Sequence, residues 1–165
     1  MIKAHSNDGK TFQITENGNQ IGEIIYENLL FLEAEINTSN SKKYKVEPIG
    51  IFDSGISVTQ EGNPVASLSL GWSGKIVISF QNGEEFILKL SNLFSNKYVL
   101  ENKNRQLLFQ LEAKFDWKKF YYNYEITTES KEEKLLNDPL LVLLALYAAN
   151  YFIAAMSGAN SGMMV

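Results

Sequence analysis

The stretch 139–156, PLLVLLALYAANYFIAAM, decides how this chain is read. Asn150 is its single strongly polar residue. Just upstream, Asn137-Asp138-Pro139 supplies an Asx cap followed by proline at the first helical position, so the spacing predicts a helix over 138–157. Gly158 is its stop, and 158–165 reads as a loose tail of small, uncharged residues. A helix apolar on every side must be surrounded, by lipid or by protein.

Working outward, residues 129–137 form a charged connector, and 11–128 have a different character. Short alternating runs are broken by turn residues at Glu16-Asn17-Gly18-Asn19, Gln60-Glu61-Gly62-Asn63, Gln81-Asn82-Gly83-Glu84 and Glu101-Asn102-Lys103-Asn104. Asn and Gly tolerate the positive φ that tight hairpins demand, so these four signals make a meander. In the run 106–115, Leu107, Phe109, Leu111, Ala113 and Phe115 face one way, with Leu108 the apolar exception on the other face. Phe86, Leu88 and Leu90 alternate likewise, as do Ala66, Leu68 and Leu70, and Leu30, Leu32, Ala34 and Ile36. Runs at 21–26, 56–60, 75–80, 98–101 and 120–128 bring the expectation to about 10–12 antiparallel strands with one face in water. Pro48, Pro64 and Pro139 fall at punctuation points between elements.

Geometry tests the two surroundings of the helix. About twelve strands spaced ~4.8 Å and tilted ~40° close into a barrel ~24 Å wide, whose wall stands ~12 Å from the axis. That is too wide for side chains alone to fill and fits one helix. Leu141, Leu144, Tyr147, Ala148, Tyr151 and Ala155 would meet the wall, and the many alanines suit a closed space. In lipid, the stretch would sit at the lower edge of a bilayer span with Asn150 in the hydrocarbon and no Lys or Arg beyond it. The fold class expected is therefore mainly β: one domain over 1–165, a closed antiparallel barrel with a central C-terminal hydrophobic helix.

Composition narrows the chemistry. The chain has 165 residues, 45% hydrophobic and 21% charged, which is globular usage and not that of a disordered chain. A net charge of -4 opposes a dedicated nucleic-acid or anionic-membrane binder, since both need a basic field, and leaves room only for a local basic patch. With no cysteine, disulfides, thiolate zinc sites, iron–sulfur clusters and a Cys nucleophile are excluded. No signal peptide is visible in residues 1–10, so cytoplasmic residence is the expectation, with membrane anchoring through the helix as the alternative. Asn37-Thr38-Ser39 then reads as a polar turn.

The order of elements resembles the tubby-like superfamily, and within it the LURP-one-related and phospholipid-scramblase branch. The residues carrying the resemblance are Asp53-Ser54-Gly55-Ile56-Ser57-Val58 leading into a hairpin, the hairpin over 98–115, and the apolar run 139–155. The resemblance implies a twelve-stranded barrel threaded by its last helix and a non-enzymatic role at a membrane surface or on a protein partner. Scramblase-like members carry lipidated cysteines and an acidic calcium-binding segment; this chain has no cysteine, and its residues 129–134 mix Glu with Lys. Tubby-like phosphoinositide binding uses basic side chains gathered on the barrel. Lys42, Lys43 and Lys45, or Lys114, Lys118 and Lys119, are this chain's nearest sets, and neither matches position by position.

Candidate sites are few. His5 is the only histidine and lies in an N-terminus expected to be mobile, so it reads as a surface residue. Among the acidic pairs Glu33/Glu35, Glu84/Glu85 and Glu132/Glu133, Glu33 and Glu35 share a strand face as a general acid–base pair would need, but solvated outer-face carboxylates are the commoner use. No glycine-rich phosphate loop is present. Gly71-Trp72-Ser73-Gly74 places a tryptophan at a turn, either a recognition residue or a plug over the barrel end. Asp116-Trp117-Lys118-Lys119-Phe120-Tyr121-Tyr122 interleaves basic and aromatic groups, as single-stranded nucleic acid or a membrane interface wants, although a plain strand–turn–strand with lysines at its turn has the same pattern and suits the acidic net charge. The expectation is thus no catalytic residue, no cofactor and no metal, with Trp72, Trp117, Lys118, Lys119 and Tyr121 as contacts to a membrane or a protein partner.

Overall fold

The computed structural model describes residues 1–50, 55–70, 74–92, 95–128 and 138–156. Twelve strands run in order: β1 (Ile2–Ser6), β2 (Thr11–Glu16), β3 (Asn19–Tyr26), β4 (Ala34–Thr38), β5 (Lys43–Pro48), β6 (Gly55–Gln60), β7 (Asn63–Leu70), β8 (Lys75–Phe80), β9 (Glu85–Asn92), β10 (Ser95–Asn102), β11 (Leu107–Asp116) and β12 (Tyr121–Thr128). They are followed by one helix, α1 (Pro139–Met156). Each strand pairs antiparallel with its neighbour, and β1 pairs with both β2 and β12, so the sheet closes on itself. A closed sheet has no free edge to pair with another chain.

Period-two patterning puts one side chain in two inside. Ile24, Ile36, Val46, Val58, Leu68, Ile78, Leu88, Leu100, Leu111 and Ile126 are all buried, one from each of ten strands. Leu143, Leu144, Ala145, Leu146, Tyr147, Ala148 and Ala149 of α1 have no exposed surface. Seven consecutive residues cover every side of a helix, so α1 is enclosed all round. It contacts β3 and β9, which stand opposite each other in the barrel. Its cap is the one the sequence announces: the Leu140 amide donates to Asp138 Oδ1 at 3.0 Å, with Pro139 opening the helix.

Two ends follow from this. The turns joining β4–β5, β6–β7, β8–β9 and β10–β11 surround the start of α1, at what we term the entry end. The helix leaves at the opposite, exit end, where Ala155 and Met156 are exposed. A helix of 18 residues is about 27 Å long and outruns tilted strands of five to ten residues. Ala155 therefore lies past the wall it was expected to meet.

The β2–β3 and β6–β7 hairpins are one device used twice. Thr15 pairs Gln20 and Glu16 pairs Asn19, just as Thr59 pairs Pro64 and Gln60 pairs Asn63. Both break register at the same place, after Ile14 and after Val58. Asn17 and Gly18 sit at φ 50° and 87°, and Glu61 and Gly62 at 50° and 81°, the left-handed pair that a two-residue hairpin requires.

Three local expectations are corrected. His5 belongs to a regular strand, β1, as an exposed residue opposite Gln13. The alternation of Ile2, Ala4 and Ser6 was too short to stand out, yet β1 closes the barrel. Leu30 and Leu32 lie in a loop, because Phe31 adopts φ 55° and packs its ring against Tyr26 at 4.7 Å, ending the alternation before β4. Leu108 is buried, because the register of β10 and β11 shifts between Leu100 and Glu101. The turn at Trp72, the connector 129–137 and the tail 158–165 lie outside the described residues.

Candidate interaction surface at the helix-exit rim

Asp116 builds the β11–β12 tip. Its carboxylate accepts from the Lys118 amide at 2.9 Å and its carbonyl accepts from the Phe120 amide at 2.8 Å. Phe120 is thereby held at φ 60°, a conformation that an aromatic residue rarely adopts. The result puts Trp117 and Phe120 in solvent, 78% and 76% exposed. Both rings lean edge-on against Phe115, at 4.9 and 6.5 Å, and Tyr122 packs on the same ring at 5.1 Å. Phe115 and Tyr122 are an opposed pair at the mouth of the barrel.

Lys118 and Lys119 lie between the two exposed rings. The Lys119 ammonium stands 5.8 Å above the Tyr121 ring and donates to Asn7 Oδ1 at 3.3 Å, tying the tip to the β1–β2 loop. Tyr121 is half-buried, and its hydroxyl has no partner among the described residues. Asp8, in the same loop, is committed to structure: its carboxylate accepts from the Thr11 and Lys10 amides and is held below the ordinary carboxylate range chiefly by the Thr11 amide.

Four of the five expected contact residues are therefore described and gathered at one tip; Trp72 lies outside the described residues. Phe120 was within the quoted run but not singled out, and its exposure follows from its unusual φ. Leu29 and Ile49 were missed altogether. They are exposed at the loops after β3 and β5, on the same rim, and Met156 joins them where the helix emerges. Among the described residues the strongly exposed large apolar side chains gather on this rim, Met1 excepted. No local motif marks Leu29 or Ile49, because only the ring closure sets their loops on one rim with the β11–β12 tip, Leu29 across the β1–β2 loop from it and Ile49 on the far side of the ring.

The other candidates stay apart. Glu84 accepts from Asn82 at 2.8 Å and Glu85 from the Ser79 hydroxyl at 3.4 Å, both within the β8–β9 hairpin. A cleft of about 540 Å³ opens beside them at the entry end, over Phe80, Phe86, Leu108 and Leu141. Its rim amides are spent on their own turns, Asn82 on Glu84 and Asn102 on Gln106. Among the described residues no three His, Cys, Asp or Glu side chains are grouped to hold a metal ion. Glu132/Glu133 lie outside the described residues.

Inside the barrel a polar cluster fixes the helix. Asn150 Nδ2 donates to the Tyr26 hydroxyl at 3.0 Å, and the Tyr147 hydroxyl donates to the Leu32 carbonyl at 2.6 Å. Burial pushes the phenols of Tyr26 and Tyr124 well up and that of Tyr98 to about 12. No family model, curated protein or solved structure matches the chain.

Proposed function

We propose that the chain is a non-enzymatic, cytoplasmic binding module of the tubby-like kind that docks by its exit rim on a lipid headgroup surface. The observation that carries this reading is the pair of exposed rings, Trp117 and Phe120, astride Lys118 and Lys119 on one tip. Aromatic rings are at home at the bilayer–water boundary, and lysines beside them add about 1 kcal/mol each near an anionic leaflet. The closed barrel and its enclosed last helix support the resemblance in layout.

Co-sedimentation of the full chain with phosphatidylglycerol/phosphatidylcholine vesicles tests it. The wild type should pellet, W117A/F120A should not, and K118E/K119E should bind weakly with a flatter salt dependence. Wild-type protein that ignores anionic and zwitterionic vesicles alike overturns the reading.

One observation favours a second reading, a tail anchor: α1 is long and apolar enough to cross a membrane. Against it stand Asn150, bonded to Tyr26 and Tyr124 of the barrel wall, and Tyr147, bonded to the Leu32 carbonyl in the loop after β3. Recovery of the full chain in the detergent-free soluble fraction would end the anchor.

A further inference from the structure

The exit rim does not carry basic groups alone. Moving round the ring from the β11–β12 tip, Gly9 is the bridge: a Cβ built there would lie 3.4 Å from the Tyr121 ring and 3.7 Å from Leu29. Leu29, 59% exposed, is therefore continuous with the tip. It stands in the loop 27–33, whose ends are clamped by the Glu27 amide donating to the Glu33 carbonyl at 3.0 Å. An exposed leucine is thus held between two exposed carboxylates. The next loop repeats the arrangement, with exposed Ile49 just beyond Glu47.

We infer that loop 27–33 is a second lipid contact on this rim, one that engages an anionic bilayer only when Glu27 and Glu33 are protonated. The inference rests on the reading of the rim as a lipid-docking surface. Two ionised carboxylates beside Leu29 would be repelled by acidic headgroups and would keep the leucine in water. Neutral, they become hydrogen-bonding groups that the interface tolerates, and Leu29 follows the Trp117 tip down.

The surroundings favour protonation of Glu33. Glu33 is held above the ordinary carboxylate range, first by its hydrogen bond to Glu27, then by the charges of Glu27 and Glu47, with Lys45 opposing. Lys45 is itself engaged by Glu47 at 2.7 Å on β5. Beneath, the Tyr147 hydroxyl feels Glu33 and stays un-ionised through burial. Further along the same groove lie Glu35, Lys43 and Glu61. A surface potential of about −30 mV also concentrates protons several-fold at the bilayer, lowering the local pH by about half a unit.

The test is vesicle co-sedimentation of the full chain at about pH 7.5 and about pH 4.3, the ordinary glutamate value, at which a carboxylate held above it is mostly protonated. Wild-type affinity for the phosphatidylglycerol/phosphatidylcholine vesicles should rise roughly tenfold on acidification, the effect of two like charges removed from an anionic surface. E27Q/E33Q should bind at neutral pH as tightly as the wild type does in acid, with a flat profile. L29S should lose most of the acid gain, and E84Q/E85Q, at the other end of the barrel, should keep it. An acid gain that persists unchanged in E27Q/E33Q, or disappears equally in E84Q/E85Q, overturns the inference while leaving the docking reading intact. Wild type that binds at neither pH removes both.

Discussion

The Tyr124 hydroxyl donates to Asn150 Oδ1 at 2.6 Å, joining the last strand to the core helix in the middle of an apolar interior. The same asparagine's amide donates to Tyr26, so one polar side chain is bonded to two strands on different parts of the wall. Sliding the helix by a residue would strand all three polar groups in a dry core, and that fixes its register. N150A should therefore cost about 2–4 kcal/mol, more than its lost volume, since two phenols are left unpaired. Y26F/Y124F/N150L should recover much of this. Urea denaturation of both variants checks it.

Gly22 of β3 lies hard against α1. A Cβ there would meet Leu143 Cδ1 at 2.7 Å and the Asn37 carbonyl at 2.8 Å. The carbonyl is backbone and cannot swing away. G22A should destabilise by about 1–3 kcal/mol, and L143A in that background should relieve only the part due to the leucine. A double-mutant cycle measures the difference.

Buried phenols link stability to alkaline pH. Tyr26, Tyr98 and Tyr124 have their ionisation raised in the fold, chiefly by desolvation. The unfolded chain gives up these protons first, at about pH 10, so their stabilisation is whole below that pH. It is lost as pH climbs from there toward the folded value, about 12 for Tyr98. Absorbance titration at alkaline pH should show late tyrosines ionising together with loss of ellipticity, whereas independent early titration would contradict it.

Phe120 occupies φ 60°, where glycine sits without strain. F120G should hold or raise stability, by up to about 1 kcal/mol, while weakening vesicle binding. A variant that keeps its melting temperature and its full affinity would remove Phe120 from the docking surface.

Removing residues 139–165 should abolish folding. The inward side chains of the barrel would face an empty lumen, and the apolar burial lost is of order tens of kcal/mol gross. A soluble, well-folded remainder, judged by circular dichroism and size-exclusion chromatography, would contradict the enclosed helix.

Four of the five hairpins at the entry end were legible because Asn and Gly encode their backbone locally, and most strands were legible as period-two alternation, though β2 and β5 were not singled out. The rim was legible only at 116–122, where rings and lysines are adjacent in sequence. Leu29 beside Glu27 and Glu33 gave no signal, since one exposed leucine is ordinary on any surface.

By itself the sequence determined that this chain is a β-meander ending in a helix that cannot face water, because turn chemistry, alternation and hydrophobicity act over a few residues. Only the tertiary structure decided that β1 closes the ring against β12, that Asn150 finds Tyr26 and Tyr124, and that Trp117, Gly9 and Leu29 share a rim. Those relations join residues distant along the chain, and such contacts come into being only when the sheet curls shut around its own last helix.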